Sequence, residues 1–248
     1  MFSTDRMPSF WRHVNNVLQQ TDLIIEVLDS RMIEGSRNIE IEEKIRRAGK
    51  KILYVINKCD LVEKGVLEPW KKILNPCIFV SSRELLGTTP LKKQILQFSK
   101  GEQVTVGVVG YPNVGTSSLI NALAGRAKAR TSPESGYTKG LQKIKVDNKI
   151  LLLDTPGVFP NKEKDLQKHA MIGAIDYGKI KDPETAALGL IEQEKEAILQ
   201  YYHVQGDDPE EILEEIAVKL RKMSKGGLPD LEATARLILK YWQTGKIR

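Results

Sequence analysis

The sequence predicts an α/β fold: a mostly parallel sheet covered on both faces, followed by an all-helical domain. Three observations carry that prediction. Short apolar runs rich in β-branched residues alternate with helix-like stretches through roughly the first 160 residues of 248. Most of these runs end in polar or glycine-rich clusters, which on such sheets fall at the carboxyl edge where ligands bind. Strand signals stop near residue 160, and the rest reads as helices. The chain therefore divides into an α/β domain at 1–160 and a helical domain at 161–248.

The totals bound the function class. An apolar fraction of 41% beside 28% charged residues is ordinary for a globular chain with a real core. A formal charge of +6 makes an anionic partner, RNA included, chemically reasonable. Cys59 and Cys77 are no disulfide framework and read as free thiols in a reducing compartment. His13, His169 and His203 are scattered and make no metal pattern. No apolar run nears the roughly 20 residues that span a bilayer. The first residues lack the apolar core of a signal peptide. A cytoplasmic protein without a membrane partner is expected.

The elements follow in order. Pro8 suits a helix start, and Phe10, Val14, Val17 and Leu18 then share one helical face. Residues 22–28 read as a strand ending in Asp29-Ser30-Arg31, and 39–48 as a helix stopped by Gly49. Residues 51–56 are a second strand ending in Asn57-Lys58-Cys59-Asp60. A helix at 64–74 leads to a strand at 77–80 ending in Ser81-Ser82, and a helix at 90–98 follows. Residues 104–109 form an apolar strand, 110–115 a glycine-bounded loop, and 116–123 a helix start. Residues 126–140 are a polar, turn-rich stretch long enough for a functional loop. Residues 141–146 and 149–153 form a hairpin around Asp147-Asn148, ending in Asp154-Thr155-Pro156-Gly157. Helices are expected at 165–181, 184–203, 208–223 and 230–244, with Pro183, Pro209 and Pro229 near their starts.

The loop at 110–117, G-Y-P-N-V-G-T-S, matches the phosphate-cradle pattern G-x-x-x-x-G-K-[ST] at every fixed position but one. Thr116 stands where the lysine belongs. Such a loop lets backbone N–H groups from Asn113, Val114, Gly115, Thr116, Ser117 and Ser118 close on phosphate oxygens at a helix N-terminus. Taken alone, the lysine-less match also suits an ordinary strand–turn–helix junction.

Asn57-Lys58-Cys59-Asp60 offers purine chemistry. The Asp60 carboxylate can accept two parallel hydrogen bonds, from N1–H and the exocyclic amine of guanine. Adenine lacks that donor pair and would leave a charge unpaired. Asn57 can bond the base and tie loops together. The Lys58 stem can lie on the purine ring. Ser81-Ser82 can present the Ser82 backbone N–H to the guanine carbonyl. The competing reading is a polar turn with Asp60 as a cap. Asp154 can hold magnesium through water, Ser117 can supply a hydroxyl ligand, and Thr138 another. The Gly157 N–H can meet a terminal phosphate. The competing reading of Asp154 is a turn-initiating aspartate.

Taken together, these motifs come in an unusual order. Ras-like GTPases place the cradle first, then D-x-x-G, then N-K-x-D. Here N-K-C-D and Ser81-Ser82 precede the cradle. The chain therefore resembles the circularly permuted, P-loop, Ras-like GTPases of the YlqF/RbgA-like ribosome-assembly family, over nearly its whole length. Asp29-Ser30-Arg31 resembles the family's D-A-R segment, and residues 110–119 its G-x-P-N-V-G-K-S-S-L loop. Ser135-Gly136-Tyr137-Thr138-Lys139 resembles its P-G-x-T-[KR] switch, and residues 224–248 its K-G-G…D…A-R-x-L-L segment.

The resemblance implies binding of GTP and GDP with magnesium, slow hydrolysis to GDP and phosphate, and action on the large ribosomal subunit or its precursor through rRNA. It implies that Val158 replaces the water-orienting glutamine, so another group must orient the attacking water. It makes Asn113 a candidate potassium ligand. The G-H-M histidine segment of bacterial members is absent, which leaves no catalytic residue assigned. Thr116 marks either an altered copy of an ordinary GTPase or a member that relies on magnesium, potassium and its partner. The alternative function is a nucleotide-binding but hydrolysis-deficient module that docks on rRNA. An ATP-dependent enzyme is disfavoured by Asp60. In the helical domain, Lys222, Lys225, Arg236 and Lys240, with Arg221, Lys246 and Arg248, form a basic strip suited to RNA phosphates. Tyr241 and Trp242 lie among them, either as base-stacking aromatics or as core.

Overall fold

Most of the strands form from runs of apolar, often β-branched residues, which suits burial between two helical layers. They run β1 Leu23–Asp29, β2 Lys51–Asn57, β3 Cys77–Phe79, β4 Val104–Gly110, β5 Gln142–Lys145 and β6 Ile150–Asp154. Every residue of β1 is buried, as befits its central place in the sheet. The computed structural model describes residues 9–125, 142–154, 169 and 173–248, with side chains from residue 14 onward. The chain falls into two units, Met1–Glu163 and Lys164–Arg248.

The sheet order is β3-β2-β1-β4-β6-β5. All neighbours are parallel except β5 and β6, which form the expected hairpin. Asp147 closes that hairpin by accepting from the N–H groups of Lys149 at 2.8 Å and Ile150 at 2.9 Å. The order places β2 and β3 on one side of β1 and β4 on the other. The chain thus reverses direction across the sheet between β1 and β4, and the crevice at their carboxyl ends is a topological switch point.

Helix Ser9–Gln20 lays Val14, Val17 and Leu18 against Ile24, Ile41, Ile45 and Val109. Helix Ile39–Arg47 is started by Asn38, whose side chain accepts from the Ile41 N–H. On the β2–β3 side, Leu28, Ile33, Tyr54, Ile56, Leu67 and Leu74 pack together. The single helix expected at 64–74 is two short ones, Lys64–Leu67 and Trp70–Ile73. Pro69 parts them, because it has no N–H for a continuing helical bond. Helix Ile33–Ser36 was not expected; it is only 4 residues long.

In the second unit, helices Pro183–Gln193, Pro209–Lys219 and Leu231–Gln243 begin behind Asp182, Asp208 and Asp230. Each aspartate accepts from first-turn N–H groups, and Pro183 and Pro209 stand at first-turn positions that need no N–H. The helix expected at 184–203 breaks at Glu194 and resumes as Lys195–Tyr202. The helix expected at 208–223 stops at Lys219, and a turn closed by pairing of Met223 with Pro229 follows. Of the helix expected at 165–181, residues 165–168 and 170–172 lie outside the described residues, and 173–181 are turns and bends with a 3-10 turn at Tyr177–Lys179 rather than a helix.

One buried polar group sits beneath helix Ile39–Arg47. Glu26 is 1% exposed. Its Oε1 accepts from the Asn38 N–H at 2.9 Å, and its Oε2 has no partner among the described residues. Burial, then the neighbouring Glu42 charge, pushes its carboxyl up to about 8. The folded state therefore holds a proton that the unfolded chain releases near 4.5. Stability from this group is fully present below that value and is lost as pH rises towards about 8. Denaturant midpoints taken at pH 5 and pH 8 should fall less for Glu26→Gln than for the parent, by an amount on the order of a few kcal/mol in free energy. Parallel losses would contradict the assignment.

Candidate functional site

The carboxyl edge of the sheet gathers the strand-end clusters. The parallel register sets Asp29 beside Asn57, Val27 beside Gly110, and Val108 beside Asp154. Segments from four strands, far apart in sequence, thus end along one line.

Asn57 joins three of these loops. Its Nδ2 donates to the Val114 carbonyl at 2.9 Å. Its Oδ1 accepts from the Ser82 N–H at 3.1 Å and from the Ser82 hydroxyl at 2.8 Å. The expected tie between loops is present. The Ser82 N–H, however, is donated to Asn57 rather than presented to a base, because the Asn57 amide oxygen is buried and needs a donor. Ser81 is buried and pairs with Leu86, with its hydroxyl accepting from the Glu84 N–H at 3.1 Å. Ser81 holds the loop's shape.

The loop at 110–115 turns tightly. Asn113 has φ 64, a left-handed conformation that Asn tolerates. Gly115 has φ 101, and a Cβ there would lie 2.3 Å from Asn57 Nδ2. Only glycine lets the loop meet Asn57 this closely. Gly115 precedes helix Thr116–Ala124 and offers no side-chain cap. The first backbone bond of that helix runs from the Leu119 N–H to the Gly115 carbonyl at 2.8 Å. The N–H groups of Thr116, Ser117 and Ser118 therefore lie at the helix's positive end, as an anion cradle requires. Thr116 is half-buried at the first helical position.

Across from this helix start stands Asp154, the last residue of β6 and fully buried. Its Oδ2 accepts from the Ser117 hydroxyl at 3.4 Å, and its Oδ1 has no partner among the described residues. Burial raises its carboxyl to about 6, against the lowering effect of Ser117. A buried carboxylate with one unpaired oxygen beside a serine hydroxyl is a hard-oxygen donor set, and it fits magnesium. Thr138, Gly157 and Val158 lie outside the described residues.

Asp60 lies in the 3-10 turn Cys59–Leu61, half-buried. The cap positions of this turn and of the helix after it are held by Lys58 and Glu63, not Asp60, so the capping alternative does not describe it. Lys58 before it is left-handed, with φ 61. The Lys58 ammonium donates to Asp29 Oδ2 at 2.6 Å. Arg31 grips the same carboxylate at both oxygens, Nε to Oδ1 at 3.0 Å and Nη2 to Oδ2 at 2.8 Å. Burial alone would raise the Asp29 carboxyl, but the Lys58 and Arg31 cations beside it hold it well below the usual carboxylate range. The role of Asp29 was not read from the sequence. Its signal was there: a carboxylate at a strand end, next in the sheet to the N-K-C-D strand end.

In the helical unit the basic strip is partly confirmed as surface and partly not. Arg221, Lys225, Lys240, Lys246 and Arg248 are exposed, and Lys222 is half-buried. Arg236 departs from the expectation. Its guanidinium binds Glu232 at 2.8 Å and donates to the carbonyls of Tyr177 at 3.1 Å and Ile180 at 3.3 Å. It anchors the turn before helix Pro183–Gln193. Trp242 is 2% exposed and belongs to the core. Tyr241 is half-buried beneath the Lys246 ammonium, 4.2 Å from its ring centre. Among the described residues, no helix is long and apolar enough to cross a membrane.

Comparison with known proteins agrees with this arrangement. Residues 105–221 match the family described as 50S ribosome-binding GTPase. The match begins in β4 and leaves the N-K-C-D strand end upstream of it, as the rearranged motif order requires. A GTP-binding protein of Methanocaldococcus jannaschii is 40% identical over 94% of this chain and 65% of its own length. A nucleolar GTP-binding protein 2 of Saccharomyces cerevisiae is 31% identical over 100% of this chain and 54% of its own. The chain spans about half to two thirds of the length of the curated relatives it matches. The crystal structure of GNP-bound YlqF from T. maritima shares the fold, with a TM-score of 0.66 at 22% identity, covering 96% of this chain and 95% of that one.

Proposed function

The chain belongs to the circularly permuted GTPases of the YlqF/RbgA-like family, and on that premise we propose that it binds a guanine nucleotide with magnesium, hydrolyses GTP, and serves assembly of the large ribosomal subunit. The observation that carries the nucleotide reading is the Asn57 junction, which brings the N-K-C-D turn, the Ser82 loop and the cradle loop to one place. Asp60 takes the guanine N1–H and exocyclic amine. The backbone N–H groups of residues 113–118 hold the phosphates. Ser117 and Asp154 hold magnesium, which neutralises phosphate charge when bound; Thr138 and Gly157 are assigned to the same ion and to the terminal phosphate. Asn113 is assigned to potassium.

The ribosomal role rests on the family match and on relatives named as nucleolar GTP-binding proteins. On this reading the protein works where ribosomes are assembled. Lys222, Lys225 and Lys240, with Arg221, Lys246 and Arg248, are assigned to rRNA phosphates, and Arg236 to holding that unit together. Phosphate release from GTP, measured with and without large subunits in potassium and magnesium, tests the function. Release stimulated by subunits, with binding that weakens steeply as salt rises, is expected. Saturable nucleotide binding without release under any of these conditions would leave a docking module rather than a GTPase.

Magnesium gives a pH test. Without the ion, Asp154 takes a proton below about 6, and proton and metal compete for the same oxygens. The magnesium needed for half-maximal GDP retention should rise about tenfold between pH 7 and pH 5. An unchanged requirement would remove Asp154 from the metal site.

A further inference from the structure

We propose that Asp29, Ser30 and Arg31 are positioning residues for the purine pocket, holding Lys58 in its left-handed turn and thereby setting the preference for guanine. The proposal rests on reading Asn57–Asp60 as that pocket, and it assigns a task to a segment outside it.

Lys58 has φ 61 and ψ 31. Asn and Asp enter this region with help from a short polar side chain, whereas a lysine has none and must be held there from outside. The holding groups come from the end of β1 and the residue just after it. The Ser30 hydroxyl donates to the Lys58 carbonyl at 2.7 Å, and the Ser30 N–H donates to the Asn57 carbonyl at 2.9 Å. The Lys58 carbonyl also receives the Leu61 N–H at 2.9 Å, so the turn that carries Asp60 hangs from the atom Ser30 fixes. At the other end of the residue, the Lys58 ammonium is drawn to Asp29 at 2.6 Å. Backbone and side-chain tip are pinned by neighbouring residues of one strand end, which fixes the course of the stem between them.

Asp29 is itself held rigid. Its Oδ1 receives the Arg31 N–H at 3.1 Å and Nε at 3.0 Å, and its Oδ2 receives Arg31 Nη2 and the Lys58 ammonium. Its N–H donates to the Ser36 hydroxyl at 3.0 Å. The Arg31 and Asp29 side chains are 5% and 2% exposed. A carboxylate needed only to neutralise Arg31 would be satisfied by that fork alone. The reach to Lys58 on the adjacent strand end is what links the segment to the base pocket. Arg31 keeps the carboxylate ionised and aimed, and the carboxylate aims Lys58.

Lys58→Met tests this directly. It keeps an unbranched stem, removes the anchored tip, and leaves the Asp29–Arg31 pair intact, so folding is preserved. GDP affinity should fall about 10–100-fold, while binding of tripolyphosphate, which needs only the cradle, stays unchanged. The preference for GDP over the inosine nucleotide, which lacks the exocyclic amine, should shrink. Asp29→Asn should give the same pattern, and adding it to Lys58→Met should add less than about twofold, since the two remove one interaction. The proposal fails if Lys58→Met binds GDP within about twofold of the parent, or if GDP and tripolyphosphate weaken together. Should the parent bind GDP no better than ADP, the purine pocket itself is misread and the proposal falls with it.

Discussion

Asp60→Asn lowers GDP affinity by at least about a hundredfold and improves binding of the xanthine nucleotide, because it reverses one half of a donor–acceptor match. The guanine edge offers two N–H donors. A carboxylate accepts both, and charge assistance makes each bond worth about 1.5–3 kcal/mol. An amide must turn one N–H towards a guanine N–H, so one bond becomes a clash of donors. Xanthine carries a carbonyl oxygen where guanine carries the amine, and that oxygen accepts from the new amide. The structure suits the experiment. Asp60 occupies the cap position neither of its own turn nor of the helix after it, so its replacement removes no helix cap. Nucleotide displacement assays with the two bases should cross over in preference. A variant that binds GDP like the parent would show that the carboxylate does not face the base.

Thr116→Lys raises nucleotide affinity by about 10–100-fold and raises the hydrolysis rate. The helix N-terminus already offers the N–H groups of Thr116, Ser117 and Ser118. What the cradle lacks is a full positive charge at its first helical position. A lysine there gives a charge-assisted bond to the β- and γ-phosphates, again about 1.5–3 kcal/mol. Charge that develops on the phosphoryl oxygens in the transition state is then better neutralised, so hydrolysis gains as well. The gain should be larger for GTP than for GMP, which has no β-phosphate to meet the ammonium. Superimposable titration curves for parent and variant would place the phosphates elsewhere.

Much of the fold was legible because it obeys periodicity. The apolar strands, the loop at 110–115 and the β5–β6 hairpin follow from local patterns, and the hairpin turn is fixed by Asp147 within a few residues. What was not legible depends on partners distant in sequence. Nothing local says that β1 lies between β2 and β4, yet that order creates the crevice. The break at Glu194 carries no glycine or proline to mark it. Pro69 within the 64–74 stretch does mark a break, since it has no N–H for a continuing helical bond.

The site divides the same way. Asn57, Gly115, Ser117 and Asp154 each sit in a local motif that fixes its own residue types, and the fold brings Asn57 to the 110–115 loop and Ser117 to Asp154. The Ser82 N–H and Arg236 differed because buried acceptors claimed them: the Asn57 amide oxygen in one case, backbone carbonyls of Tyr177 and Ile180 in the other. Trp242 had the same ambiguity. An aromatic flanked by cations reads as a surface stacker, but the helix Leu231–Gln243 turns it inward with Ile238 and Leu239. Asp29 stands out as a strand-end carboxylate, but its role is not legible, because one of its partners, Lys58, lies across the sheet on the next strand end, and only Arg31 is local.

A calorimetric titration of this chain with GDP and with ADP, in excess magnesium at neutral pH, measures the shared premise most directly. Saturable GDP binding, with ADP at least about a hundredfold weaker, is the predicted result. Equal affinity for the two, or heat from neither, would contradict a guanine nucleotide site at the meeting of Asp60, the cradle loop and Asp154.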